Sequence, residues 1–230
     1  MQNIDILRIK DGIKTRLKDE VANEDILTIF VNEKPIARFS CLGRNINELI
    51  IGYLYSNNYI SDYQDIDSFD YSIHEKAVYI SLFKTQPPIP ELSKSDHREY
   101  PHTKLLSLMQ SFVTTSRTFQ KTGAVHSAGI ATDNEVLKTF DDLSRHNTLY
   151  MLLGYSLINN VPLSEKILLL TCRLTNSIME IIQKTNTGII ITKAAPTDLA
   201  VKICRERNIT LAGFVRENRM NIYNGDEWIS

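Results

Sequence analysis

Cysteine is scarce in this 230-residue chain: Cys41, Cys172 and Cys204 are far apart and odd in number. No CxxC pair occurs. A disulfide framework and a paired redox motif therefore have no support, and reduced thiols are expected. His97 and His102 lack cysteine partners, which argues against a structural zinc site. A basic surplus is missing as well. The 26 Lys and Arg are balanced by 27 Asp and Glu, so the net charge is −1. That gives no support to a general nucleic-acid binder, yet leaves room for a local basic pocket. Long apolar runs are absent too; stretches such as Ile167–Leu170 are far too short to span a bilayer. The segment Met1–Asp5 is acidic where a secretory signal would be basic. The expectation is a soluble, cytoplasmic protein without a membrane or nucleic-acid partner. The HxE and PCxxC pair of zinc deaminases, the GxGxxG fingerprint, the Walker P-loop and GxSxG are all missing.

The composition that remains, 43% apolar and 23% charged, is that of a globular chain rather than a disordered one. Asp25–Val31 and Ile36–Ser40 flank the turn Asn32–Pro35, a hairpin pattern. Residues 45–58 change to helical spacing, with Ile46, Leu49, Ile50, Tyr53 and Leu54 on one face. Asn45 is placed to cap that helix through its side chain, with Glu48 three residues on. Ser72–Phe83 alternates as a strand. Pro87, Pro88, Pro90 and Pro101 then mark Lys84–His102 as loop or linker. A helix runs from Leu105 to about Gln120. After two further strands and a helix over Asn147–Leu157, three apolar strands alternate with helices: Ile167–Leu170, Gly188–Thr192 and Thr210–Phe214. Such spacing implies βαβ crossovers and parallel pairing. The fold class expected is α/β, a mixed sheet with parallel βαβ units plus a smaller N-terminal α+β part. The corresponding division is 1–84, a linker over 85–103, and an α/β domain over 104–230.

Ligands of open α/β sheets bind beyond the carboxyl ends of the parallel strands. That rule selects Thr171–Asn176, Lys193–Thr197 and Phe214–Arg219. These segments supply Arg173, Lys193, Arg216 and Arg219, and the hydroxyls of Thr171, Thr175 and Thr197. Helix N-termini beside them favour anions, so a phosphate or pyrophosphate is the natural guest. A single such Arg would read as a solvated loop cation; four on one edge read as a site.

Two histidine segments remain. Lys121–Gly129 is small and Gly-rich around His126, which by itself reads as a tight turn with a hydrogen-bonded histidine. Phe140–Asn147 gathers Asp141, Asp142, Arg145, His146 and Asn147 before a helix. Asp142 is placed either to orient His146 for proton transfer or to cap the helix. His146 and Asp142 as an acid–base pair would define a different enzyme, with no substrate named by the sequence.

Taken in order, these segments resemble the FdhD/NarQ family. Thr122–Ala128 resembles its TGGVHxA motif, Asp142–Asn147 its DVGRHNA, and Thr171–Thr175 its SGRVS. Ala195–Ala200 is similar to APTSLA, and Gly213–Tyr223 to the closing GFxRxxRMNVY. The resemblance implies a cytidine deaminase-like fold without zinc, in a cytoplasmic homodimer. It implies sulfur taken from a cysteine desulfurase and passed to the bis-molybdopterin guanine dinucleotide cofactor of the formate dehydrogenase catalytic subunit. The cofactor, or a guanine nucleotide such as GDP as its partial mimic, would be held by Phe214, Val215, Arg216, Glu217, Asn218 and Arg219. Arg173, Thr171, Lys193, Pro196, Thr197, His126, Asp142, Arg145, His146 and Asn147 complete the expected site. The family carries sulfur on a CxxC loop between the Ser72–Phe83 strand and the Leu105 helix. Here that stretch holds no cysteine. Cys172 either takes over the carrier role or fills, as a small residue, a position where the family has Gly. The alternative to sulfuration is a non-catalytic chaperone that binds cofactor or guanine nucleotide.

Overall fold

The computed structural model of the protein describes residues 1–83 and 98–230. Most of the Pro-rich linker expectation therefore lies outside the described residues. The described residues form twelve strands, six α-helices and three short 3-10 helices. The strands are β1 (Gln2–Lys10), β2 (Ile13–Val21), β3 (Asp25–Val31), β4 (Lys34–Cys41), β5 (Ile66–Ser72), β6 (Ala77–Leu82), β7 (His126–Ala131), β8 (Val136–Asp142), β9 (Ile167–Leu170), β10 (Ile189–Thr192), β11 (Thr210–Arg216) and β12 (Arg219–Asn224). The helices are α1 (Ile46–Ser56), α2 (His102–Thr115), α3 (Arg117–Thr122), α4 (Arg145–Asn159), α5 (Asn176–Ile182) and α6 (Asp198–Arg207).

The larger sheet has the order β12-β11-β10-β9-β7-β8. Strands β9, β10 and β11 are parallel, as their helical crossovers require. Strand β7 runs antiparallel to β9 and β8. The four-residue strands β9 and β10 are buried throughout, so both faces must be covered. Their alternate residues divide between two clusters. Leu168, Leu170 and Ile190 join the side chains of α4, α5 and α6. Ile167, Leu169, Ile189 and Ile191 meet Leu105, Leu108, Met109 and Phe112 of α2. This is an α/β fold with helices on both faces of a mixed sheet.

The second sheet, β4-β3-β6-β5, packs against α1, and α1 packs on α4. These helices meet backbone to backbone. A Cβ built on Gly52 would lie 1.7 Å from the Tyr150 carbonyl oxygen, and one on Gly154 would lie 1.9 Å from that of Glu48. Among the described residues no helix is long and apolar enough to cross a membrane.

Several local expectations are corrected. Asn45 lies in the left-handed region (φ 52°) and makes no side-chain cap. Its backbone carbonyl, not its side chain, accepts the Leu49 N–H. Ser72–Phe83 is the end of β5, a turn with Lys76 at φ 50°, and β6. The Leu105 helix breaks at Ser116, whose extended backbone separates α2 from α3. The β1–β2 ribbon has no counterpart in the sequence reading, because most of its residues are exposed and its apolar alternation is weak.

Candidate functional site

Every motif singled out above except the N-terminal ones converges on one edge of the larger sheet. The parallel strands β9, β10 and β11 end there, and antiparallel β7 begins there with His126. Strand β8 ends at the same edge in Asp141 and Asp142 and leads into α4. Backbone bonds lock the segments together. Lys193 N–H donates to Leu170 O (2.9 Å), Leu174 N–H to Ala195 O (3.1 Å), and Phe214 N–H to Ala194 O (3.0 Å). Gly213 lets these loops close up, since a Cβ there would sit 2.9 Å from the Tyr223 ring and 3.1 Å from Pro196. Phe214 follows at φ 51°, left-handed and strained for an aromatic residue, within a register shift of β11 against β12.

A cavity of about 360 Å³ opens on this edge, between the sheet and the α2–α3 pair. His126, Ser127, Thr171, Lys193 and Arg216 come from the sheet side; Val113, Ser116 and Phe119 come from the helices. A second space of about 350 Å³ shares Val113, Lys193 and Arg216 and continues past Leu106, Met109, Val215 and Glu217. Both volumes fall within the usual range of small-molecule sites, about 300–1,000 Å³.

Cations predominate at this edge, although Glu217 lines the second space. Among the described residues, Arg145, Arg173, Lys193, Arg216 and Arg219 form no ion pair with a carboxylate, whereas Arg44 and Arg98 do. Arg145 Nε is buried and has no hydrogen-bond partner among the described residues. Arg216 and Arg219 face each other across the closing hairpin, a like-charge pair that an anion would relieve. Burial and the neighbouring Arg145 and Arg173 guanidiniums hold the His126 imidazole below the ordinary histidine range. Burial, then Arg145, does the same to His146. In both rings the shift favours the neutral form.

The residues expected at the site divide into two groups. His126, Thr171, Lys193, Val215, Arg216 and Glu217 line the two spaces. Asn218 and Arg219 form the exposed hairpin beyond them, with Phe214 half-buried beneath. Pro196 packs on Gly213, and Thr197 caps α6 by accepting Ala200 N–H. Asp142 and Asn147 are turned inward instead. Asp142 is fully buried and accepts Leu42 N–H (2.9 Å), Asn147 Nδ2 (2.7 Å) and Ser144 N–H (3.3 Å). Asn147 also donates to Ser40 O (2.8 Å), so the pair joins β4 to α4. Asp142 does not touch His146, whose Nε2 lies 3.2 Å from Ser177 Oγ. Neither of the two roles weighed for Asp142, orienting His146 or capping the helix, is the one this fold uses. Ser144 is the α4 cap.

Cys172 is 2% exposed, and burial pushes its thiol up to about 11 despite Arg145 and Arg173 nearby. Cys204 is pushed up to about 12, and Cys41 is raised as well, both chiefly by burial. Sequence reasoning missed Val113, Ser116, Phe119 and Arg44. Their helices and loop come from elsewhere in the chain, and no motif marks them. No group of three or more His, Cys, Asp or Glu among the described residues could hold a metal ion.

The description of the FdhD/NarQ family matches residues 22–90 and 83–230. The chain belongs to the FdhD/NarQ family. It is 34% identical to the sulfur carrier protein FdhD of Halalkalibacterium halodurans, across 97% of this chain and 93% of that one. The FdhD proteins of Listeria monocytogenes (strain F2365) and Bacillus subtilis (strain 168) are each 28% identical, over 98% of this chain and 97% and 96% of theirs. Among solved structures, a chain from Desulfotalea psychrophila, provisionally described as a formate dehydrogenase accessory protein, superimposes with a TM-score of 0.87. It shares 21% identity and covers 100% of this chain and 99% of its own, so it speaks for the fold.

Proposed function

We propose that this FdhD/NarQ chain binds the molybdenum cofactor, bis-molybdopterin guanine dinucleotide, on behalf of the formate dehydrogenase catalytic subunit. One observation carries the reading: Lys193 and Arg216 line both lobes of the cleft, and with Arg145, Arg173 and Arg219 at the same strand ends they have no carboxylate partner among the described residues. The orphaned Arg145 Nε fits an anionic guest, because a buried guanidinium N–H needs an acceptor. Arg145, Arg173, Lys193, Arg216 and Arg219 would hold the phosphates, with Thr171 and His126 beside them. Bound there, the cofactor brings its own molybdenum–sulfur chemistry; the protein's residues bind and orient it. Cytoplasmic location, a homodimer and a cysteine desulfurase partner belong to the same reading.

The test uses GDP as the probe. Calorimetry should detect GDP binding, and Arg216→Ala should weaken it about tenfold or more, as expected for loss of a charge-assisted contact. Absence of any heat with GDP would sink the guanine-nucleotide half of the proposal. The phosphate also stabilises an imidazolium. His126 starts below the ordinary range, so affinity should strengthen as pH falls toward its depressed value and level off below it, with proton uptake on binding. In His126→Gln that component of the pH dependence should vanish.

The relatives are named sulfur carriers, yet burial of all three thiols favours cofactor binding without persulfide. A thiol near 11 is roughly one part in a thousand thiolate at pH 8. The native protein should therefore show no rapidly reacting thiol with Ellman's reagent, and three after guanidinium unfolding. A persulfide adduct on Cys172 after incubation with a desulfurase and cysteine would instead restore sulfur transfer as the reading.

A further inference from the structure

The cleft has two walls of different origin, and one carboxylate ties them together. Asp141 Oδ1 accepts the Ser127 hydroxyl at 2.7 Å, and Oδ2 accepts the Ser116 hydroxyl at 2.6 Å. Both serines line the cleft, and both are almost wholly buried. Ser127 belongs to the sheet wall. Its backbone N–H donates to Thr171 Oγ1 at 2.9 Å, and its carbonyl accepts Thr171 N–H at 3.1 Å. Ser116 belongs to the helical wall. It is the break between α2 and α3, and its hydroxyl oxygen also accepts Phe119 N–H at 3.0 Å. Arg44, from the loop between β4 and α1, closes the cluster. Its Nη2 lies 3.8 Å from Asp141 and donates to Thr118 Oγ1 at 3.0 Å.

We infer that Asp141 is a positioning residue that sets the separation of the α2–α3 wall from the sheet wall, and so the affinity of the cleft for its anionic ligand. The inference rests on the anion-binding reading above and extends it to a residue that touches no ligand. The physical case is one of competition. A carboxylate beside an anion site is repulsive, so its presence weakens anion binding electrostatically. Its geometric action is opposite. Without it, two buried hydroxyls lose their acceptor, and a helix pair joined by an extended residue loses its fixed distance from the sheet. Neighbouring Asp142 provides the internal control, because its bonds run to β4 and α4 and away from the cleft.

The sign of one substitution separates the two effects. In Asp141→Asn, electrostatics alone would tighten GDP binding, whereas positioning weakens it, by about tenfold. GDP calorimetry and hydrogen–deuterium exchange would be run together on wild type, Asp141→Asn, Ser116→Ala and the double variant. The expected result is weaker GDP binding in both single variants and no further loss when they are combined, as for residues acting through one contact. Exchange should rise selectively over residues 113–123. GDP affinity unchanged or tightened in Asp141→Asn would overturn the inference, as would unchanged exchange over 113–123. If wild type binds no GDP, the anion-site reading fails, and the exchange arm still decides whether Asp141 holds the helical wall. If Asp141→Asn does not fold, Ser127→Ala and Ser116→Ala, each removing one of the two hydroxyls, carry the same measurements.

Discussion

Gly154→Ala is expected to lower the melting temperature of this protein by about 10 °C, with a cost of about 3 kcal/mol or more. The new methyl would be placed 1.9 Å from the Glu48 carbonyl oxygen and 2.7 Å from its carbonyl carbon. Those are backbone atoms of α1, so no rotamer change can relieve the overlap. The helices must separate, and their separation opens a gap among Leu49, Ile50, Leu149 and Leu153, all within 2% of complete burial. Gly52→Ala should act alike, because its Cβ would meet Tyr150 O at 1.7 Å. The double variant should be far less damaging than the sum, since one separation accommodates both methyls. Differential scanning calorimetry of the two single variants and the pair measures this. A melting temperature within 2 °C of wild type in Gly154→Ala would show that the helices do not meet as described.

Asp142→Ala is the second large effect, about 3–5 kcal/mol. The carboxylate is fully buried and accepts from Leu42 N, Ser144 N and Asn147 Nδ2. Truncation leaves buried donors without an acceptor, and each such group costs about 1–3 kcal/mol. Asp142→Asn should recover part of the loss. An amide oxygen can still accept from Ser144 and Asn147, but its NH₂ then faces the Leu42 N–H. Burial pushes the Asp142 carboxyl upward, against the pull of Leu42, Asn147 and the Ser144 amide. A raised acid favours the protonated form in the folded state, so the linkage sign is opposite to that of an ordinary paired carboxylate. Above its raised folded value this group subtracts stability, and acidification down to the unfolded value returns it. Wild type should therefore lose less stability on mild acidification than Asp142→Asn. Urea titrations of both proteins at neutral and mildly acidic pH check this; a steeper acid loss in wild type would contradict it. At temperatures where both fold, GDP affinity should differ little between Asp142→Asn and wild type, in contrast to Asp141→Asn.

Adjacent in sequence, these two aspartates illustrate what a linear reading can and cannot extract. Strand alternation sends Asp141 and Asp142 to opposite faces of β8. One face looks to α2–α3, the other to α4 and the second sheet. The motif around them was visible, but the partners that assign each a task, Ser116, Ser127 and Arg44 on one side and Leu42 and Asn147 on the other, come from distant segments. The helix break at Ser116 was hidden for the same reason. Its apolar stripe is helical, and the bond to Asp141 overrides it.

The sequence by itself determined the α/β class, the parallel strands β9, β10 and β11, the family, and the edge where cations gather. Apolar runs of four residues separated by helices admit few other arrangements, and chain direction places their carboxyl ends together. Scarcity of cysteine, the first feature noted, was also legible there. Only the tertiary structure decided that all three thiols are sealed in the core. It likewise decided that Asp142 and Asn147 serve the joint between α4 and β4, and that α2–α3 closes the cleft. Burial and hydrogen-bond partnership depend on contacts between segments far apart in the chain, 100 residues in the case of Leu42 and Asp142, and such contacts leave no periodic trace in the chain.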